Sequence, residues 1–315
     1  MAVVIAVLAS SCSPRLNVNQ KVKGLPQLAD KHYVSYDSDQ LGYRKWLPEK
    51  VEPKTVIIGV HGISGHSGDY ENIGKHLLKH HSDVALYAPE TRGQGMDPNK
   101  DRRGDIRRTK EWYKDLYTFT RLIRRVHPRS KIVWLGESMG SLIIMHGYDN
   151  TPPGEQKPDA LIISAPIVDV EAKLPAWKMM TVRIVTAVLP KLRVSLATLA
   201  GGERHVVTED DIHEEQAAKN TWYIPRYTLR LLLSLGDMAG VMEKKAAKVQ
   251  CPVLVLHGGK DVFTEKNSVD RFYQKFPEGI DKTKKFYPGS YHLLMYDHDR
   301  KKIFKDVSTW LKKLK

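Results

Sequence analysis

The chain has 315 residues, enough for one large α/β domain or two average ones, and its formal net charge is +14. With 41% hydrophobic and 27% charged residues, its composition is that of a soluble globular protein. Two cysteines without a CxxC pair exclude a disulfide framework and a thiolate metal site, and we expect neither a metal nor an organic cofactor.

The basic residues occur in scattered pairs such as Arg102-Arg103 and Arg124-Arg125. No aromatic residues are interleaved with them as in nucleic-acid-binding stripes, so we expect no nucleic-acid partner. The positive charge favours either an anionic membrane surface as a partner or an ordinary solvated basic surface.

Residues 1–12 have the features of an export signal. The apolar run 2–9 is too short to span a bilayer but matches the apolar region of a signal peptide. Small residues precede Cys12 and resemble a bacterial lipoprotein cleavage box, which predicts lipidation of Cys12 and a location in the cell envelope. A cytoplasmic location is the alternative. Residues 13–28 are predicted to be a polar tether.

Short apolar runs beyond the tether predict a sheet. Aromatic and polar residues nearly alternate over 31–46, which predicts an antiparallel pair at a sheet edge. The later runs are continuously apolar, as in strands buried on both faces of a parallel sheet. They cover residues 55–60, 84–88, 132–135, 160–164 and 253–256. Stretches with helical spacing lie between them, including 71–80 and 109–126, so the sequence predicts a mostly parallel, doubly wound α/β sheet.

The interval 167–247 interrupts this alternation and is predicted to be a helical cap. It separates the first part of the core, 29–166, from the second part, 248–315. Four apolar residues near its start are candidates for lining an acyl pocket, or for the cap's own core: Trp177, Met179, Met180 and Ile184. Residues 303–314 have helical spacing and predict a closing amphipathic helix docked on the sheet.

The strongest chemical signal is the run Gly136-Glu137-Ser138-Met139-Gly140. It lies between a predicted strand and a predicted helix, the setting of a nucleophile elbow. A serine at such a turn has a strained backbone, and glycine at positions 136 and 140 removes side chains that would collide with it. We therefore predict that Ser138 is a nucleophile.

A serine hydroxyl needs a base within hydrogen-bond reach. Asp261 follows the strand 253–256, and His292 follows a predicted strand at 284–287. Both are thus expected at the carboxyl edge of the sheet, where open α/β sheets place their sites. We predict that His292 is the general base and that Asp261 orients it, in the chain order serine, acid, histidine.

Other acids compete with Asp261 for this role. Asp169 also follows a core strand and is the alternative acid. Asp297 and Asp299 lie close to His292 in sequence and are predicted to face solvent.

A third requirement is a pair of donors for the developing oxyanion. The strand 55–60 runs into the glycine-containing loop 61–65, and Gly62 there permits close backbone approach. In this kind of site one donor comes from such a loop and the other from the residue after the nucleophile. The predicted donors are the backbone amides of Ile63 and Met139.

Several of these segments resemble monoacylglycerol lipases and related lysophospholipases, with a serine aminopeptidase S33-type domain. Residues 61–70 resemble their HGxxxHSGRY segment, and residues 88–95 are similar to their D-x-x-G-H-G-x-S stretch, with Arg92 and Gln94 as departures. Residues 136–140 match their GxSMG elbow, and Tyr291-His292 their histidine loop. The resemblance implies an α/β-hydrolase fold with Ser138, Asp261 and His292 as the triad.

The resemblance also implies a function: hydrolysis of acyl esters of lipids, either monoacylglycerols or lysophospholipids. One alternative keeps the chemistry but changes the substrate to a short acyl ester, a phenolic ester or a small amide, since fold alone does not choose among them. Another alternative is a non-catalytic binding protein on a hydrolase scaffold, which the full set of triad candidates argues against.

Overall fold

The computed structural model describes residues 24–168, 176–195, 206–209 and 222–314. Its described strands, in chain order, are β1 (Gln27–Leu28), β2 (His32–Val34), β3 (Gln40–Trp46), β4 (Thr55–Val60), β5 (Val84–Pro89), β6 (Lys131–Glu137), β7 (Ala160–Ser164), β8 (Arg193–Val194), β9 (Tyr227–Thr228), β10 (Val253–Gly258) and β11 (Lys282–Tyr287). Nine of them form one sheet in the order β1-β2-β3-β5-β4-β6-β7-β10-β11. The pairs from β5 to β11 are parallel, which confirms the predicted α/β architecture.

The antiparallel edge predicted for 31–46 is confirmed. β2 pairs with β3, and β3 pairs with β5, both antiparallel. The predicted tether is wrong at its last two residues, because β1 pairs antiparallel with β2 and Leu28 packs against the core. The hydroxyl of Tyr43 donates to the carbonyl of Ala29 at 2.6 Å and holds the intervening turn. Two residues are too few to show strand periodicity in a sequence.

The central strands are apolar on both faces because both faces are covered. In β10, Val253 and Val255 belong to one buried cluster, while Leu254 and Leu256 belong to the cluster on the opposite face. This alternation between two cores explains the continuous apolar runs in the sequence.

Helices cover the two faces of the sheet. The described helices are α1 (Glu71–His80), α2 (Lys110–Val126), α3 (Met139–Asp149), α4 (Ala176–Val188), α5 (Leu229–Ala239), α6 (Met242–Ala246), α7 (Lys266–Gln274) and α8 (Arg300–Leu311). α1 and α8 pack on one face, whereas α2, α3, α5, α6 and α7 contribute to the cluster on the other. α8 buries Ile303, Val307 and Trp310, as predicted for the closing helix. None of the helices in the described ranges could cross a bilayer, being too short or too polar.

The interval predicted as a cap is described only in part. It contains α4, the antiparallel pair β8–β9, α5 and α6. The sequence predicted no strand here, and the two strands were missed because each has only two residues. α5 and α6 pack against α3, and Leu231, Met238 and Met242 join the core cluster. Residues 169–175, 196–205 and 210–221 lie outside the described residues, so the cap's boundaries stay a prediction.

Candidate active site

The turn between β6 and α3 carries Ser138 in an unusual backbone conformation. Ser138 has φ 56° and ψ −120°, a combination that typically costs about 1–3 kcal/mol for a non-glycine residue. A Cβ at Gly136 would lie less than 3.0 Å from the Gly140 carbonyl, and one at Gly140 less than 3.0 Å from the Val60 carbonyl. The local fold therefore requires both glycines, and the turn projects Ser138 from the end of the strand.

Three predicted side chains meet at this turn. The Oγ of Ser138 lies 2.8 Å from Nε2 of His292, and Nδ1 of the same imidazole lies 2.8 Å from Oδ2 of Asp261. Ser138 and His292 are 7% and 2% exposed, so the contact is largely shielded from water. The structure thus brings the predicted nucleophile, base and acid into one hydrogen-bonded chain.

Asp261 is held in place by its own loop. Its Oδ1 accepts hydrogen bonds from the backbone amides of Phe263 at 2.9 Å and Thr264 at 3.3 Å. Burial alone would raise the pKa of Asp261, but the nearby His292 and the Phe263 amide outweigh it, and the net pKa is lowered. An ionised Asp261 accepts a hydrogen bond from the Nδ1–H of His292, which leaves Nε2 as the acceptor facing Ser138.

The loop after β11 positions His292, and the solvent-facing prediction is wrong for one of its two neighbouring acids, Asp297. Asp297 is 2% exposed, and its carboxylate accepts the backbone amides of Tyr291 and, at 2.7 Å, His298. Asp299 accepts the hydroxyl of Ser290 at 2.9 Å. Because the loop curls back on itself, the Asp297 carboxylate points inward and accepts the amides that fix the loop's shape, while the half-buried Asp299 adds the bond to Ser290.

The loop after β4 lies against the serine. A Cβ at Gly62 would be 3.2 Å from the Cβ of Ser138, so glycine permits this close approach. Within the described ranges, no turn or loop hydrogen bond uses the amide of Ile63 or Met139 as a donor. Met139 is the first residue of α3, where helix amides have no intrahelical partner and the helix dipole favours negative charge. The assignment of the Ile63 and Met139 amides as oxyanion donors stays a prediction, with which these observations are compatible.

Sequence reasoning missed Glu137, the residue before the serine. It is 3% exposed, and its Oε1 accepts the Met295 amide and the Ser164 hydroxyl, both at 3.4 Å. Burial raises the pKa of Glu137 to about 8. It therefore joins the elbow to the histidine loop as a protonated carboxyl at neutral pH. The signal available in the sequence was an acidic residue at the end of an apolar strand.

Phe263 was also missed. Its ring meets the His292 ring edge-on with centroids 4.6 Å apart, and it is 44% exposed. It therefore presents an exposed apolar ring beside the buried imidazole. Its position two residues after the predicted acid was the available signal.

The remaining predicted site residues either lie on α4 or fall outside the described residues. Met180 and Ile184 lie on α4 and are 65% and 56% exposed. Trp177 and Met179 belong to the same helix, but their side chains lie outside the description, and the acyl-pocket assignment stays a prediction. Cys12 and the alternative acid Asp169 also lie outside the described residues. Within the described ranges, no cluster of three or more His, Cys, Asp or Glu side chains could hold a metal ion.

The chain is similar to known lipases over most of its length. A family model described as serine aminopeptidase, S33, matches residues 51–299. The monoacylglycerol lipase of Mycolicibacterium smegmatis is 26% identical over 275 residues, covering 85% of this chain and 91% of the relative. The Homo sapiens monoglyceride lipase is 24% identical, with 89% of each chain covered.

Solved structures share the fold. A soluble variant of monoglyceride lipase from Saccharomyces cerevisiae, in complex with a substrate analogue, superposes with a TM-score of 0.75 at 18% identity, covering 95% of this chain and 99% of that one. The monoacylglycerol lipase of Paleococcus ferrophilus gives a TM-score of 0.70 at 21% identity, with 87% and 99% covered. The chain therefore belongs to the serine aminopeptidase S33 family, and it is an ester hydrolase with the α/β-hydrolase fold.

Proposed function

We propose that the protein hydrolyses acyl esters of lipids, monoacylglycerols or lysophospholipids, through a Ser138–His292–Asp261 triad. The observation that carries the proposal is the continuous hydrogen-bonded chain from the Ser138 hydroxyl through the imidazole to the buried carboxylate. A serine activated in this way attacks carbonyl carbon, whereas a structural serine has no need of an ionised acid behind its histidine.

In the first half of the reaction, Oγ of Ser138 attacks the ester carbonyl while Nε2 of His292 takes its proton. Asp261 accepts the hydrogen bond from Nδ1–H and stabilises the imidazolium that forms. The negative charge on the carbonyl oxygen is met by the amides of Ile63 and Met139, and one such donor is typically worth about 3 kcal/mol in the transition state. Collapse of the intermediate breaks the bond to the leaving oxygen, which receives the proton from His292.

In the second half, water replaces the alcohol. His292 takes a proton from the water as its oxygen attacks the acyl carbon, and the same two amides receive the second oxyanion. Collapse returns the proton to Oγ of Ser138 and releases the carboxylic acid. The cycle needs only groups of this chain and water.

Two features support a lipid acyl chain as substrate. α4 exposes Met180, Ile184 and Val188 at a spacing of one helical turn, so one side of this helix is apolar and open. Phe263 adds an exposed ring directly beside His292. The relatives named above are monoacylglycerol and monoglyceride lipases. An alkyl chain placed over these surfaces would remove apolar area from water on binding.

The same exposed side of α4, together with the net charge of +14, supports binding to an anionic membrane surface. The enzyme would take its lipid substrate from that surface. An anchor on Cys12 would keep the enzyme there. Metabolic labelling with an alkynyl fatty acid tests this part: we expect incorporation into the full chain and its loss in Cys12→Ser. Equal labelling of the two would refute the anchor and leave the hydrolase proposal standing.

A chain-length series tests the substrate class. Initial rates on p-nitrophenyl esters from acetate to palmitate, on a monooleoylglycerol and on a lysophosphatidylcholine should rise toward the longer chains, with one of the two lipids cleaved efficiently. Activity confined to short or phenolic esters would replace the lipid by the alternative substrate. Ser138→Ala is the control that assigns every rate to this site.

A further inference from the structure

The loop that carries Ile63 is fastened to a second loop. This second loop, residues 90–97, follows β5, the neighbour of β4 in the sheet. The amide of Thr91 donates to Nε2 of His61 at 3.0 Å, and the amide of Ser64 donates to Oε1 of Gln94 at 3.1 Å. Hydrogen bonds therefore join the two loops on both sides of Ile63.

Burial keeps the His61 ring neutral, and its two hydrogen bonds determine which ring nitrogen carries the proton. Its Nε2 accepts from Thr91, so the ring proton lies on Nδ1, which donates to the carbonyl of Gly62 at 3.0 Å. Burial lowers the pKa of His61 to about 4, and the ring stays neutral around pH 7. The first half of the Ile63 loop is thereby held in one arrangement.

The second half depends on Gln94. Ser64 has φ 59°, in the left-handed region that non-glycine residues seldom adopt. The hydrogen bond from its backbone amide to Gln94 holds it in this conformation. This amide belongs to the peptide plane that joins Ile63 to Ser64. Fixing that plane restricts rotation of the Ile63 backbone and therefore the direction of the Ile63 N–H.

Among the described residues, the Gln94 side chain makes no hydrogen bond other than the one to the Ser64 amide. It is fully buried, and its Nε2 has no hydrogen-bond partner among the described residues. A buried amide with an unsatisfied donor destabilises a fold, so an apolar side chain would serve packing alone better. The polar residue at this position is accounted for by its one hydrogen bond to the Ser64 amide.

The second loop is rigid enough to position the first. The Arg92 side chain, 5% exposed, donates to Asp115 at 2.7 and 2.8 Å and to Asp37 at 2.9 Å. The indole of Trp112 donates to the carbonyl of Arg92 at 2.8 Å. These contacts fix the second loop to α2 and to the β2–β3 edge. The backbone that carries Gln94 is therefore held in place.

We infer that Gln94 is a positioning residue for the oxyanion hole, acting through the Ser64 amide to aim the Ile63 N–H at the developing oxyanion. The inference rests on the proposed hydrolytic function. Gln94 touches no reacting atom in this scheme. Its effect falls on the transition state, because that is where the Ile63 donor is used.

The test replaces Gln94 by methionine, which has a similar length but no oxygen acceptor. Activity is expressed per active site, counted by titration with a fluorophosphonate. We expect kcat to fall by about ten- to a hundredfold while KM stays within about twofold of the wild-type value. The reason is that the ester in its ground state depends less on the oxyanion hole than the transition state does. The inhibition constant of a trifluoromethyl ketone, whose serine adduct carries an oxyanion, should rise by the same factor. Gln250→Met, at an exposed glutamine, is the matched control and should keep wild-type values.

Gln94→Asn is the second variant, because it keeps the amide but shortens it by one methylene and should show the same pattern. Unchanged kcat and inhibition constant in folded, titrated Gln94 variants would overturn the inference, as would a rise in KM alone. If the wild type itself neither hydrolyses esters nor reacts with the fluorophosphonate, the proposed function is what fails.

Discussion

Ser138 and His292 lie 154 residues apart in the chain, yet Oγ of one is 2.8 Å from Nε2 of the other. The elbow after β6 and the loop after β11 create this contact from opposite sides of β7 and β10 in the sheet. Parallel strands end at the same edge, so residues following their carboxyl ends can meet however far apart they are in sequence. The contact gives the serine a base, and the predictions below depend on it.

Removing either member of this pair should remove catalysis while leaving the fold. For Ser138→Ala and His292→Ala we expect kcat/KM on a cleaved ester to fall by at least about a thousandfold, with residual rate from the oxyanion donors and substrate binding. Combining the two changes should add little, because the two groups act as one unit. Steady-state kinetics of the two single variants and the double variant check this. If the fold-loss of kcat/KM in the double variant equalled the product of the two single losses, the two residues would not act as one unit.

Asp261→Asn should fold normally and lose activity, on the order of 10⁴-fold in kcat. The asparagine oxygen can still accept the Phe263 and Thr264 amides, but its NH₂ group opposes the proton on Nδ1 of His292 and favours the wrong tautomer. Stopped-time ester hydrolysis, with circular dichroism as the check on folding, measures the effect. Activity within tenfold of wild type would assign the acid role elsewhere, with Asp169 the next candidate.

Glycine at position 140 should be irreplaceable. An added Cβ would approach the carbonyl of Val60 to less than 3.0 Å. Neither the Cβ nor this backbone carbonyl can move without shifting the main chain. Gly140→Ala is therefore expected to give little folded protein or to separate the elbow from β4 and lose activity. Gly236→Ala is the matched control: it lies in α5 with open space around it and should stabilise by about 0.5–1 kcal/mol. Soluble yield and melting temperature distinguish the two. A fully active, stable Gly140→Ala protein would mean that the elbow is not packed as described.

Glu137 should make stability depend on pH. Burial raises its pKa from 4.5 to about 8. Between about pH 5 and about pH 8 the unfolded chain has released this proton while the folded chain keeps it, so the group's contribution to stability falls as pH rises. Glu137→Gln stays neutral, and its melting temperature relative to wild type should therefore increase over that interval. Exposed Glu49→Gln is the control. A difference that stays constant or decreases with pH would show that Glu137 is already ionised in the folded state.

The sequence predicted the sheet well where a physical pattern was strong. Strands buried on both faces produce continuous apolar runs, and the elbow glycines follow from backbone collisions that any such turn must avoid. The triad residues could be placed because each follows a recognisable strand. Short elements such as β1, β8 and β9 were missed because two residues carry no periodicity.

The residues that hold the site together were harder to predict. Asp297, Glu137 and Gln94 act by accepting hydrogen bonds from backbone amides, and such contacts depend on how a loop curls in three dimensions. Sequence proximity suggested that Asp297 faces solvent, whereas the return of the histidine loop on itself buries it. Neither hydropathy nor spacing encodes these partners.

The most direct test of the account is mass spectrometry of the protein after reaction with a fluorophosphonate. The account predicts one adduct per chain, on the peptide that contains Ser138, with labelling strongly slowed in His292→Ala and ester hydrolysis lost in proportion to labelling. An unlabelled Ser138 in folded protein, or ester hydrolysis that persists after Ser138 is fully modified, would contradict it.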